Sequence, residues 1–170
     1  MSGMEDGWKR LVRELQERAE GMGYISLEVQ NEDLGTLAQN AWASPTTATL
    51  FGNLPPKNFS YDTGSIVYTG TKKARVFMNS IESVLVAGGN QAEAEITNGF
   101  NNTQCLSGIM PASSAFGGVI PLDTMCAFEI EPGDTLDAYT RQTSEVGGAN
   151  VTIVKGVYHV WIYDILDDSL

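Results

Sequence analysis

Basic residues, histidine and cysteine are all scarce in this chain, and each shortage narrows what it can do. Its 170 residues carry 10 Lys+Arg against 21 Asp+Glu, a formal net charge of -11. A surface of that sign repels phosphate backbones, and no Lys/Arg cluster offsets it, so nucleic acid is not an expected partner. The single histidine, His159, would have to serve any Ser/His/Asp or Cys/His nucleophilic arrangement. It stands inside an aromatic, apolar run, where a packed and hydrogen-bonded imidazole is the expectation. A zinc site would need His159, Cys105 and Cys126 to converge, and no pair of them has ligand spacing. The two cysteines fit a disulfide or two free thiols; reduced, largely buried thiols are expected, because cytoplasmic proteins seldom keep disulfides. No stretch approaches the roughly 20 apolar residues of a membrane span. The start, Met1-Ser2-Gly3-Met4-Glu5-Asp6, is acidic where a secretory signal is basic and then apolar. The expectation is a protein assembled in a cytoplasm, with no membrane partner.

Chemistry-bearing patterns are equally thin. Gly88-Gly89 and Gly117-Gly118 lack the following helix or lysine of a phosphate loop. Asp134/Asp137 and Asp164/Asp167/Asp168 lack a calcium-loop spacing and read as solvated charge. Glu93 and Glu95 alternate with apolar residues and mark the exposed side of a strand, not a glycosidase pair. No catalytic residue, metal ligand or cofactor is therefore expected, and the chain is read as a non-enzyme.

What the chain does have is β-signal. Ser2 and Glu5 form a capping box before Trp8, Leu11, Val12, Leu15, Ala19 and Met22, which recur at helical spacing until Gly21 and Gly23 end the helix. Residues 24–30 alternate as a short strand, and Asp33 caps a second, shorter helical pattern of Leu34, Leu37, Ala38, Ala41 and Trp42 that Pro45 terminates. Pro55-Pro56 closes a Thr-, Asn- and Pro-rich stretch. The organisation expected is an N-terminal helix and arm over 1–58, then a mainly β, antiparallel sandwich over 59–170. Its expected strands are 65–68, 74–79, 83–87, 92–97, 103–109, 119–122, 125–130, 135–140, 151–155 and 156–163. Short strands at this spacing, with no helices between them, make a sandwich or barrel.

The last of these strands departs from simple alternation. Tyr158, Val160 and Ile162 stand on one face and Val157, His159, Trp161 and Tyr163 on the other, and both sets need cover. One face is expected to pack on the core and the other against another subunit. The set Tyr158, Val160 and Ile162 is assigned to that interface.

Glu131-Pro132-Gly133-Asp134-Thr135-Leu136 turns one ladder, Phe128-Glu129-Ile130, into the next, the Asp134 carboxylate accepting from local amides. Ala92-Glu93-Ala94-Glu95-Ile96 leads into Asn98-Gly99 before it, and Val151-Thr152-Ile153 leads into the aromatic last strand after it. This order resembles the single jelly-roll domains of tailed-phage virion proteins, head decoration (cement) proteins and fibre tips, and the knobs of the complement-C1q and tumour-necrosis-factor kind. The resemblance covers about two-thirds of the chain, 59 to 165. It implies a homotrimeric virion component, a head decoration protein that binds the major capsid protein. The alternative it offers is a receptor- or glycan-binding fibre tip. On the first reading the N-terminal arm makes the capsid contact through Trp8, Leu11, Val12, Leu15 and Trp42.

Overall fold

Period-two alternation decides which side chains enter the core. In the computed structural model, which describes residues 22–51, 55–89, 91–99, 102–112 and 118–166, those residues form eleven strands. They are β1 (Tyr24–Leu37), β2 (Thr49–Leu50), β3 (Phe59–Asp62), β4 (Ser65–Tyr68), β5 (Ala74–Val86), β6 (Gln91–Asn98), β7 (Thr103–Leu106), β8 (Met110–Pro111), β9 (Ile120–Ile130), β10 (Thr135–Gln142) and β11 (Ala149–Ile165). One sheet has the order β2-β1-β11-β5-β9; the other has β3-β4-β10-β6-β7, with β8 also pairing to β6. Every pairing is antiparallel. The inward residues of both sheets, among them Ile25, Leu27, Met78, Ile96, Leu122, Leu136, Tyr158 and Val160, merge into one core. A face-to-face pair of antiparallel sheets sharing one apolar layer is the sandwich the alternation calls for.

Several expected strands join. Residues 74–79 and 83–87 are parts of β5, and the polar run between them continues the ladder because Ser80 and Glu82 turn inward and are buried. In the same way 119–122 and 125–130 belong to β9. Residues 151–155 and 156–163 belong to β11, where a register shift against β5 between Ile153 and Lys155 inverts the parity. Ala149, Val151 and Ile153 point inward before the bulge, and Tyr158, Val160 and Ile162 do so after it. An extra residue in one strand moves every later side chain to the opposite face.

The tight turn before β10 forms as expected. Gly133 holds φ 91°, and the backbone N–H of Glu131 donates to Asp134 Oδ2 at 2.9 Å.

Upstream of residue 59 the expectations change more. The expected N-terminal helix lies outside the described residues. The second helical pattern is instead strand and turn: β1 runs on to Leu37, with a bulge between Asp33 and Thr36. Asp33 caps locally, accepting from the Gly35 N–H at 2.8 Å, and Gly35 takes φ 79°, which favours glycine. Because β1 pairs with β11 over most of its length and buries Ile25, Leu27 and Val29, the division expected at residue 59 does not separate an arm from the sandwich. The segment after β1 is tied in as well. Ala43 bridges Thr140, and Glu32 accepts from the N–H and hydroxyl groups of both Thr46 and Thr47. Burial raises the Glu32 pKa, but those hydrogen bonds prevail and hold it below the usual carboxylate value.

The cysteines also differ from expectation. Cys105 on β7 and Cys126 on β9 form a disulfide, which fastens the edge of one sheet to the edge of the other. Twenty-one positions apart and unremarkable in spacing, they meet because the sandwich brings its β7 and β9 edges together. Among the described residues no helix is long and apolar enough to cross a membrane.

Candidate functional site

The outer face of the five-stranded sheet is built from the residues that alternate with the core set. Register places Tyr24, Trp161, Phe77 and Ala127 in one cross-strand row, Ser26, His159, Asn79 and Met125 in the next, and Glu28, Val157, Ile81 and Asp123 in the third. The Trp161 and Phe77 rings stack with centroids 4.5 Å apart. Met125 is 60% exposed, Ile81 46% and Trp161 40%; Phe51, Leu85 and Tyr163 are exposed as well. Single exposed apolar residues are ordinary, but a group across the three adjacent strands β11, β5 and β9 marks an interaction surface.

At its centre lies a small polar row. Ser26 Oγ and His159 Nδ1 are 2.8 Å apart, and the Phe51 ring meets the imidazole edge-on at 6.0 Å. On the other side of His159, the Asn79 Oδ1 atom is buried without a hydrogen-bond partner. Charge is confined to the margins. Arg75 pairs with Glu129 at 3.2 Å and with Asp164 at 3.3 Å; Glu28, Asp123 and Lys155 stand in or next to the third row.

These positions revise the site residues read from sequence. Tyr158, Val160 and Ile162 do not face another molecule: they are buried in the subunit's own core, because the β11 bulge turns the even positions inward. Val157, His159, Trp161 and Tyr163 carry the outward face of the same strand. His159 is hydrogen-bonded as expected. Ile81 escaped notice because it sits in the gap between two expected strands, and Phe77 and Met125 because the neighbouring strand order was unknown. Trp8, Leu11, Val12 and Leu15 lie outside the described residues. Trp42 is half-buried, with the Arg141 guanidinium 4.3 Å above its ring.

The other sheet's outer face is mostly polar, although Leu106, in register with Glu95, is 52% exposed at its β7 edge. Glu93, Glu95, Thr97 and Asp137 point outward yet are buried, where Glu93 and Glu95 were expected to be exposed. Two of them are paired across strands: Arg141 Nε donates to Glu93 at 2.8 Å beneath Trp42, and Thr103 Oγ1 donates to Glu95 at 2.8 Å. Burial raises the Asp137 pKa, only partly opposed by a hydrogen bond from Ser65. Burial raises that of Tyr139 too, with Asp137 and Glu95 adding to the shift.

Inside the sandwich Glu82 is wholly buried, accepting from Ser80 Oγ at 3.1 Å and from Thr140 Oγ1. Burial raises its pKa against the pull of those hydrogen bonds. The Tyr158 hydroxyl lies against this carboxyl without closing a hydrogen bond, and burial followed by the Glu82 charge pushes its pKa well up. Tyr158 and Tyr61, both with unpaired hydroxyls, line a cavity of about 10 Å³, room for about one water. Among the described residues no group of three or more His, Cys, Asp or Glu side chains is placed to hold a metal ion.

No protein-family model matches the sequence, and no curated protein matches it. Solved structures do share its fold. The PRD1 vertex protein P5 superposes with a TM-score of 0.52 at 12% identity, over 82% of this chain and 95% of that one. The Eiger TNF from S. frugiperda superposes at 0.50 with 13% identity, over 87% and 98%. The sandwich is thus of the jelly-roll kind found in a phage vertex protein and in a tumour-necrosis-factor protein, as the sequence resemblance implied.

Proposed function

We propose that this chain is a phage virion structural protein without enzymatic activity, a head decoration (cement) protein that works as a homotrimer bound to the major capsid protein. The observation that carries the reading is the apolar outer face Phe77, Ile81, Met125, Val157 and Trp161, which needs a partner and belongs to a fold shared with a phage vertex protein. A second copy of the chain fits that face. With a net charge of -11, two copies repel over most of their surfaces. This face instead carries both signs: Arg75 and Lys155 on the central strands, with Asp164 beside Arg75, and Glu28, Asp123 and Glu129 on the flanking ones. Copies rotated about a common axis set one sign against the other while covering the apolar rows. Linking three copies multiplies a modest capsid contact, since the second and third engagements are effectively intramolecular. A clamp that binds only the finished shell stabilises that shell by mass action. The test is an image of the native particle with this protein labelled. Label on the shell lattice at three-fold clusters is expected; label on an appendage overturns the decoration role in favour of a fibre tip.

A further inference from the structure

The ground between Trp161 and Phe77 on one side and Val157 and Ile81 on the other is an expensive place for polar groups. Three of them stand there in register on adjacent strands, Ser26 on β1, His159 on β11 and Asn79 on β5. His159 uses Nδ1 toward Ser26, whichever atom carries the hydrogen, and Asn79 keeps a buried carbonyl oxygen with nothing donating to it. A neutral imidazole carries one N–H and one bare nitrogen, and Ser26 serves whichever of the two stands at Nδ1. An imidazolium has two N–H donors and needs two acceptors, and the unpaired Asn79 oxygen is a second acceptor on its other flank.

We propose that the Ser26–His159–Asn79 row is a proton switch for self-association, holding copies of the chain together while the imidazole is neutral and releasing them when it is charged. This rests on the self-association reading above. When two copies meet, Trp161 and Phe77 on one side of His159 and Val157 and Ile81 on the other lose water, and a charge enclosed among them loses its solvation, which favours the separated subunits. In the separated subunit the charged ring stays partly solvated and turns Nε2–H toward Asn79 Oδ1. Histidine is the side chain whose charge changes under mildly acidic conditions. The competing groups on the face are Tyr24 and Glu28 on β1, Lys155, Tyr163 and Asp164 on β11, Arg75 on β5, and Asp123 and Glu129 on β9. None shares the central row. Glu28, the acid nearest in register, accepts from Gln30 at 3.4 Å, away from the imidazole, and Arg75, Glu129 and Asp164 engage one another at one end.

The experiment is sedimentation of the full chain at pH 8 and pH 5, for the wild type, His159→Gln and Asn79→Leu, with circular dichroism confirming that each stays folded. The wild type is expected to associate at pH 8 and to weaken at least tenfold at pH 5. His159→Gln keeps an amide that serves Ser26 but gains no charge, and should associate equally at both values. Asn79→Leu removes the second acceptor and should move the release to lower pH. A wild-type oligomer indifferent to pH overturns the switch and leaves self-association standing, as does a His159→Gln variant that still comes apart at pH 5. An unchanged release pH in Asn79→Leu removes the asparagine from the proposal. A wild type that is monomeric at pH 8 contradicts the self-association reading itself.

Discussion

The two sheets of this sandwich follow one alternation rule inward and opposite rules outward. Outside the six-stranded sheet, carboxylates that would be at home in water are covered and paired: Glu93 under Arg141 and Trp42, Glu95 against Thr103. Outside the five-stranded sheet, tryptophan, phenylalanine, isoleucine and methionine that would be at home in a core are left open. The first face pairs its glutamates within the chain and exposes Leu106 only at its edge; the second leaves large apolar side chains open on three adjacent strands. Exposure on its own does not reveal function, whereas exposure of the wrong chemistry across neighbouring strands does.

The comparison can be broken from the inside first. Ile162 shares β11 with Trp161 but points into the core, so Ile162→Asp places an unpaired charge among buried side chains, at a cost of several kcal/mol. No cooperative melting transition is expected; a folded, monomeric variant would put Ile162 back at an interface.

Arg141→Ala tests the completed face. The Arg141 side chain is 23% exposed and that of Glu93 6%, so truncation strands a buried carboxylate. A loss of about 3 kcal/mol is expected in chemical denaturation, largely recovered by adding Glu93→Gln. Equal losses in the single and double variants would contradict the pairing.

Removing the disulfide with Cys105→Ser and Cys126→Ala loosens the edge where the two sheets meet. By loop-closure entropy the cost is about 3 kcal/mol, read as a lower melting temperature, and oligomer mass should not change. A wild type whose stability ignores reducing agent would show that the bond adds little.

Glu82→Gln separates buried charge from buried polarity. Because the folded-state pKa of Glu82 is raised above the ordinary 4.5, the native protein binds its proton more tightly than the unfolded chain does. The stability this contributes is full below about pH 4.5 and is lost as pH rises through the folded value. The glutamine variant lacks that slope. It should match the wild type near pH 4 and exceed it by about 1–2 kcal/mol at pH 8, in melts run across pH. Parallel pH profiles would contradict the assignment.

Sequence legibility followed the same divide between local and assembled features. Alternation, the Glu131–Leu136 turn and the exit from β6 are local, and they were readable. The parity of β11 was not, because one bulge after Ile153 exchanges its faces and depends on pairing with β5. Asp33 to Trp42 carried a helical period by coincidence, and the long pairing of β1 with β11, which decides its state, spans more than a hundred positions. Ser80 and Glu82 looked like a strand break because burial of a carboxyl requires Thr140 from the opposite sheet. The disulfide and the covered Glu93 depend likewise on strand order. The apolar outer face was half visible: Trp161 and Val157 were seen to need cover, but the partners Phe77, Ile81 and Met125 come together only in the folded sheet.

The central claim is that the open face of the five-stranded sheet is where copies of this chain meet. Trp161→Asp removes the ring that stacks on Phe77, at an expected cost in folding stability of about 1 kcal/mol, and circular dichroism is used to confirm that the variant stays folded. Sedimentation equilibrium at micromolar concentration should find the wild type as a trimer and Trp161→Asp as a folded monomer. A monomeric wild type, or a variant that stays trimeric, would contradict the account.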